Sequence, residues 1–238
     1  MIKIRRNVII IIIIIFYIFI HKNYKNIYFN FIKNCENIYF MSKNETINFI
    51  NKDQDNYIKN MSKYDLYARK VSTYEEYIKL IINGCLNFTE EQKNIIINNI
   101  PDKNKYYKFA LINNIYEEGF PHTREDIIFL SPNEITLRDN SHPEDNLKKI
   151  IKHELIHIDQ RYNGRKYNNY TISRNRNTEP LIRANPDLDN YIYKNEMGIE
   201  FYYIYSNEKP YGINDIIKIN NLGEHPYELE AYSNEILY

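Results

Sequence analysis

The stretch that decides the fold is LKKIIKHELIHIDQ, residues 147–160. Leu147, Ile150, Ile151, Leu155 and Ile158 recur at three- and four-residue spacing, which predicts one amphipathic helix. Ser141-His142-Pro143-Glu144 opens it, because proline at the first helical position loses no hydrogen bond and an acidic first turn suits the helix dipole. On its polar side His153 and His157 stand four residues apart, hence one turn apart on one face, and both imidazoles reach a common point. Zinc accepts such nitrogens at about 2.0–2.1 Å. Glu154, beside the first histidine, is placed to act as general base on a water in an open coordination position.

A catalytic zinc takes three protein ligands and a water, so the pair needs a third residue. Gln160 and Asn163 stand where the glycine and third histidine of an HExxHxxGxxH motif would be, and the ligand is therefore expected from a distant glutamate. A helix led by Pro226 near the C-terminus offers Glu228 and Glu230. These are about 200° apart around a helix, so only one of them faces a metal. Ala231 is the natural close-packing position and Glu228 shares its face, which favours Glu228. Glu230 keeps a claim, since Asn234 four residues on could support a histidine ligand.

HELIHIDQ followed by a helical Glu-x-x-Ala or Glu-Ala-x-x-Asn resembles the gluzincin branch of the zincin metallopeptidases. The resemblance covers about fifteen residues of motif, and the order of parts from Phe120 to Tyr232 fits it. It implies Zn²⁺ as cofactor, a peptide or protein as substrate, and hydrolysis through a zinc-bound water activated by Glu154. It also implies an α+β fold in which a helical layer surrounds a small sheet, with the HExxH motif on a central helix and the third ligand on a C-terminal helix. In such enzymes a strand ahead of the motif helix forms the rim where substrate pairs, a role that would fall to Ile127–Leu130. Tyr232, His225 and His122 are candidates for substrate or oxyanion contact, against the blander reading of a histidine next to proline as a cap. A second reading is a zincin fold that has lost proteolysis and serves in binding or assembly. The complete motif argues against it, because a pure binding module has no use for Glu154.

The rest of the chain sets the context. Lys+Arg 31 against Asp+Glu 31 gives zero net charge over 238 residues, so no basic field favours nucleic acid as a partner. The heavy use of Asn, Ile, Lys and Tyr, with 24 Tyr and only 6 Gly, resembles the codon bias of an AT-rich genome, such as that of a large DNA virus with a zincin-like protein. Lys3, Arg5 and Arg6 precede an apolar run from Val8 to Ile20. That layout is expected to be an uncleaved signal-anchor over residues 1–22, ahead of a cleaved signal peptide and of a strand buried in the fold. The anchor would hold the protein at a membrane with its body lumenal or external. Sequons at Asn44, Asn60, Asn87 and Asn169 would then be exposed to glycosylation, and Cys35 and Cys85 could form one disulfide.

Residues 23–70, polar and free of Gly and Pro, read as a stalk of irregular helical content, and residues 71–238 as the catalytic domain. Within it, Ser72-Thr73 with Glu75-Glu76 caps a helix that ends at Asn83-Gly84, and Thr89 to Gln92 opens a second that ends before Pro101. A third helix is expected over Lys103 to Glu117, a buried strand over Asp126–Leu130, and a further strand at Ile135-Thr136-Leu137. Arg161 to Asn177 reads as a loop, followed by strands at Tyr191-Ile192-Tyr193 and Ile199 to Tyr205.

Overall fold

A computed structural model of the chain describes residues 37–136, 147–162, 170–175, 191–201, 203–205, 208–213 and 215–218, together with Glu228 and Ala231. The expected N-terminal anchor, Cys35, His225, Glu230 and Tyr232 lie outside the described residues. Among the described residues no helix is long and apolar enough to cross a membrane.

The first element is a strand, β1 (Ile38–Phe40), followed by helices α1 (Lys43–Lys52) and α2 (Lys63–Ala68). Residues 37–70 therefore belong to the folded body and are not the stalk that their polarity suggested. Both helices open on capping boxes, Ser42 with Glu45 and Ser62 with Asp65, which satisfy the orphan N–H groups of the first turn. Met41, Ile50, Tyr57, Ile58, Met61 and Leu66 are buried in the core, so this segment supplies apolar area despite its many Asn and Lys. Helix α3 (Tyr74–Gly84) begins on the Thr73–Glu76 capping box, and α4 (Glu90–Asn99) on Thr89 with Gln92, as their sequences predict.

The region from Lys103 to Glu117 is not helical. It holds strand β3 (Tyr107–Ile112) and a single 3₁₀ turn at Tyr116–Gly119. The reason is double-sided burial: Tyr107, Phe109 and Leu111 face one core cluster while Ala110 and Ile112 face the other. A continuous apolar run of this length carries no period that separates strand from helix. Short strand β2 (Cys85–Leu86) pairs antiparallel with the end of β3. Strands β4 (His122–Arg124) and β5 (Ile127–Leu130) follow. The expected strand at Ile135-Thr136-Leu137 is replaced over its first two residues by helix α5 (Pro132–Thr136), another proline-led helix start.

The central five-stranded sheet runs β1-β3-β5-β4, with β2 beside β3. β1, β3 and β5 are parallel and β4 is antiparallel to β5. Helices cover both faces: α1, α2 and α3 pack on Ile127 and Phe129, while α4, α5 and the motif helix α6 (Leu147–Tyr162) pack on Ile128 and Leu130. The protein is thus α+β with a mixed sheet and, among the described residues, six α-helices. The remaining strands form separate small sheets. β6 (Tyr170–Asn175), in the stretch expected to be loop, pairs with β7 (Tyr191–Asn195), which pairs with β8 (Glu200–Phe201); β9 (Tyr203–Tyr205) pairs with β10 (Ile216–Lys218). The single strand expected from Ile199 to Tyr205 is therefore divided between two sheets.

Cys85 is a free, buried thiol whose Sγ donates to the Ile81 carbonyl at 3.4 Å, and burial pushes its pKa up to about 11. Cys35, the other half of the disulfide that the cysteine count allowed, lies outside the described residues.

Candidate metal centre

Helix α6 lays Leu147 and Ile151 into the core against the central sheet, with Leu155 and Ile158 packed beside them. That fixes the rotation of the helix. Its opposite side presents His153 and His157, whose side chains retain only 14% exposure. Their rings meet edge to face with centroids 4.7 Å apart, and the two Nε2 atoms stand 3.0 Å from each other.

Glu228 closes the triangle. Its Oε2 lies 3.3 Å from His153 Nε2 and its Oε1 3.5 Å from His157 Nε2. Ala231, three residues later, is helical and fully buried. Of the two glutamates considered, Glu228 is thus the one seen beside the histidines, and Glu230 lies outside the described residues. Among the described residues, His153, His157 and Glu228 are the group of side chains close enough together to hold a metal ion, each offering one ligand atom.

The donor set fits zinc on geometry as well as chemistry. Bonds of about 2.0–2.1 Å at tetrahedral angles place neighbouring ligand atoms about 3.3–3.4 Å apart, close to the three separations here. The second nitrogen of His157 is also accounted for. Its Nδ1 donates to Gln160 Oε1 at 2.9 Å, so in the neutral ring Nε2 carries the lone pair and faces the cluster. Gln160 is itself buried.

The three side chains are electrostatically coupled. Burial opposes charge on both rings, yet the Glu228 carboxylate, with Glu154 nearby, prevails and holds His153 above the ordinary histidine range and His157 at about 9. Glu228 in turn is held far below the carboxylate range, its own burial outweighed by hydrogen bonds from the two imidazoles. Glu154 is buried at 5% exposure on the same helix and contributes negative potential to both rings.

Other candidates fare differently. His122 is on the far face of the sheet from α6, because it is one residue out of step with Thr123, which pairs with Ile128. There it stacks on Phe129 at 4.9 Å and near Tyr57, and it takes no part in the histidine cluster. His225 and Tyr232 lie outside the described residues. The strand expected to form a substrate rim, Ile127–Leu130, is β5, and both its edges are occupied by β3 and β4. The sheet edge nearest the motif helix is β4, and α6 packs directly against it.

That contact involves a residue the sequence reading passed over. Arg161, one turn beyond His157, donates from Nη1 to the Glu125 carbonyl at 2.8 Å and from Nη2 to the Thr123 carbonyl at 3.3 Å and Oγ1 at 3.2 Å. Its register was legible, since 153, 157 and 161 follow one helical stripe. Its acceptors were not, because β4 carries no strand signal of its own in three residues.

No protein-family model, curated protein or solved structure matches this chain. The functional reading therefore rests on the site itself.

Proposed function

We propose that this chain is a zinc-dependent metallopeptidase with a zincin-like, glutamate-completed site. The observation that carries the reading is the convergence of Glu228, some seventy residues downstream of the motif helix, on the paired Nε2 atoms of HExxH. His153, His157 and Glu228 hold the metal, which when bound supplies Lewis acidity toward a substrate carbonyl and lowers the pKa of water. Gln160 fixes the tautomer and tilt of His157. Glu154 accepts the proton of the attacking water and delivers it to the departing amine, so that one water and one peptide bond give a carboxylate and an amine. The buried, largely dry setting of Glu154 raises the worth of that proton transfer, because nearby charges act at reduced screening. The basic and apolar N-terminal sequence supports attachment to a membrane, with peptide or protein as substrate.

The test is metal analysis of the purified protein beside a peptide-cleavage assay. Wild type is expected to hold one zinc per chain, and His153→Ala to lose it. Glu154→Gln is expected to keep the zinc and lose cleavage by a factor of about 10² or more, as befits a lost general base. Wild type without stoichiometric zinc overturns the metal reading. Zinc without cleavage of any peptide leaves a binding or assembly module.

A further inference from the structure

The edge of β4 away from β5 is where an extended peptide would add to this sheet, since a strand edge offers a row of backbone groups for pairing. Among the described residues β4 is paired on one side only, with β5. Its other side points toward the polar face of α6, and there the outward acceptors are occupied. Thr123 and Glu125 are two residues apart and turn their carbonyls toward one guanidinium, that of Arg161. Arg161 lies one turn from His157 and two turns from Glu154 on the helix, about 6 Å and 10 Å along its axis. The occupied edge is therefore beside the catalytic constellation.

The surroundings show what such an arrangement can do. Glu125, at a left-handed φ of 51°, terminates β4, and Tyr162 Oη donates to its Oε2 at 2.6 Å, which leaves that carboxylate committed to its own neighbour. Arg161 is exposed, and its three guanidinium contacts are with neutral carbonyl and hydroxyl oxygens. A guanidinium binds a carboxylate in a bidentate fork more strongly than it binds neutral carbonyls.

We propose that Arg161 is a displaceable plug on the β4 edge, and that peptides bearing a carboxylate near the scissile bond are the substrates that release it. This rests on the peptidase reading and adds to it a substrate class. On binding, the peptide N–H groups take the Thr123 and Glu125 carbonyls, and the displaced guanidinium closes on the acidic side chain of the peptide. A neutral peptide must break the same hydrogen bonds without that return, so the plug selects against it.

The experiment measures binding apart from turnover, by fluorescence anisotropy of blocked octapeptides on zinc-loaded Glu154→Gln protein. In one set a single Asp occupies each position in turn, and in the other Asn replaces it. At one or two positions the Asp peptide is expected to bind about tenfold tighter than its Asn partner, the worth of one charge-assisted pair. Adding Arg161→Ala should bring the two within twofold of each other and tighten the Asn peptide severalfold, because the edge is then open. Arg161→Lys should keep a preference for Asp while also tightening the Asn peptide, since an ammonium cannot span both carbonyls. Tyr162→Phe, which removes the adjacent tether and leaves the edge acceptors engaged, should change neither value. Peptides that bind without an Asp preference, or an Arg161→Ala protein that behaves as Tyr162→Phe does, would overturn the plug alone. A zinc-loaded protein that binds no peptide would overturn both the plug and the peptidase reading, and absence of zinc points to failure of the metal site itself.

Discussion

His157 depends on Gln160 for its orientation. With Nδ1 held at 2.9 Å by a neutral amide oxygen, the ring donates on one side and turns Nε2 toward Glu228 on the other. Gln160→Ala removes that acceptor, and zinc affinity measured by chelator competition is expected to fall about 10- to 100-fold, with the fold retained by circular dichroism. The same pair predicts a pH signature for the metal-free protein. The folded pKa of His157, at about 9, is raised above an unfolded value near 6.5. Its contribution to stability is thus complete below about pH 6.5 and disappears as the pH rises through about 9. Metal-free protein should accordingly lose urea resistance between pH 7 and 9, whereas zinc-loaded protein, in which these protons are already expelled, should not. Calorimetry at pH 7 in buffers of different ionisation heat should show proton release on zinc uptake, because both imidazoles must be neutral to ligate.

At the scale of elements, the strands and helices are joined by charges that the sequence did not advertise. Arg124 on β4 has a fully buried side chain, donating from Nη2 to Asp53 at 2.9 Å and to Asp55 at 2.7 Å in the turn after α1, with its guanidinium over the Tyr57 ring. On the same face Arg69, after α2, pairs with Glu117 of the 3₁₀ turn, and Tyr77 Oη donates to that carboxylate at 2.6 Å. Arg124→Ala leaves two carboxylates in an apolar layer, and a loss of about 3–5 kcal/mol is expected in urea unfolding, although the pair's net worth is smaller. Burial raises the Asp55 and Glu117 carboxyls, but Arg124 and Arg69 respectively prevail and lower them. Depressed carboxylates give stability that is present above their unfolded pKa values, near 4, and lost as pH falls below it, so acid unfolding should begin there. These links explain what was legible. Helices α3 and α4 could be read because Thr73–Glu76 and Thr89–Gln92 are local signals. The placing of His153 and His157 on one face of a helix could be read because helical spacing is local too. β3 could not, since its identity comes from β1 and β5 on either side, and neither could the reach of Arg161 to a three-residue strand.

The described residues are built around two apolar clusters on opposite faces of one sheet, and the helix bearing the candidate metal site packs on one of them. The face bearing α6 draws its residues from Phe88 onward, apart from the contacts of β1 and Leu86. The other draws Met41, Ile50, Tyr57, Ile58, Met61 and Leu66 from the segment whose polarity suggested a stalk. That segment also supplies Asp65, whose Oδ1 accepts from Tyr205 Oη at 2.9 Å in a fully buried contact with the C-terminal region that leads to Glu228. Its removal would strip one face of the sheet, leave Arg124 without both of its carboxylates, and free the region carrying the third ligand. A chain beginning at residue 71 is therefore expected to be insoluble or to show no cooperative unfolding, despite containing every proposed ligand. A chain beginning at residue 37 should unfold in one cooperative transition and bind zinc as the full protein does. Cooperative unfolding with normal zinc uptake by the shorter chain would show that the first two helices are dispensable to the site. The opposite result is demanded by the packing, because a sheet with one uncovered apolar face cannot hold the motif helix steadily enough on the other for a residue some seventy positions away to find it.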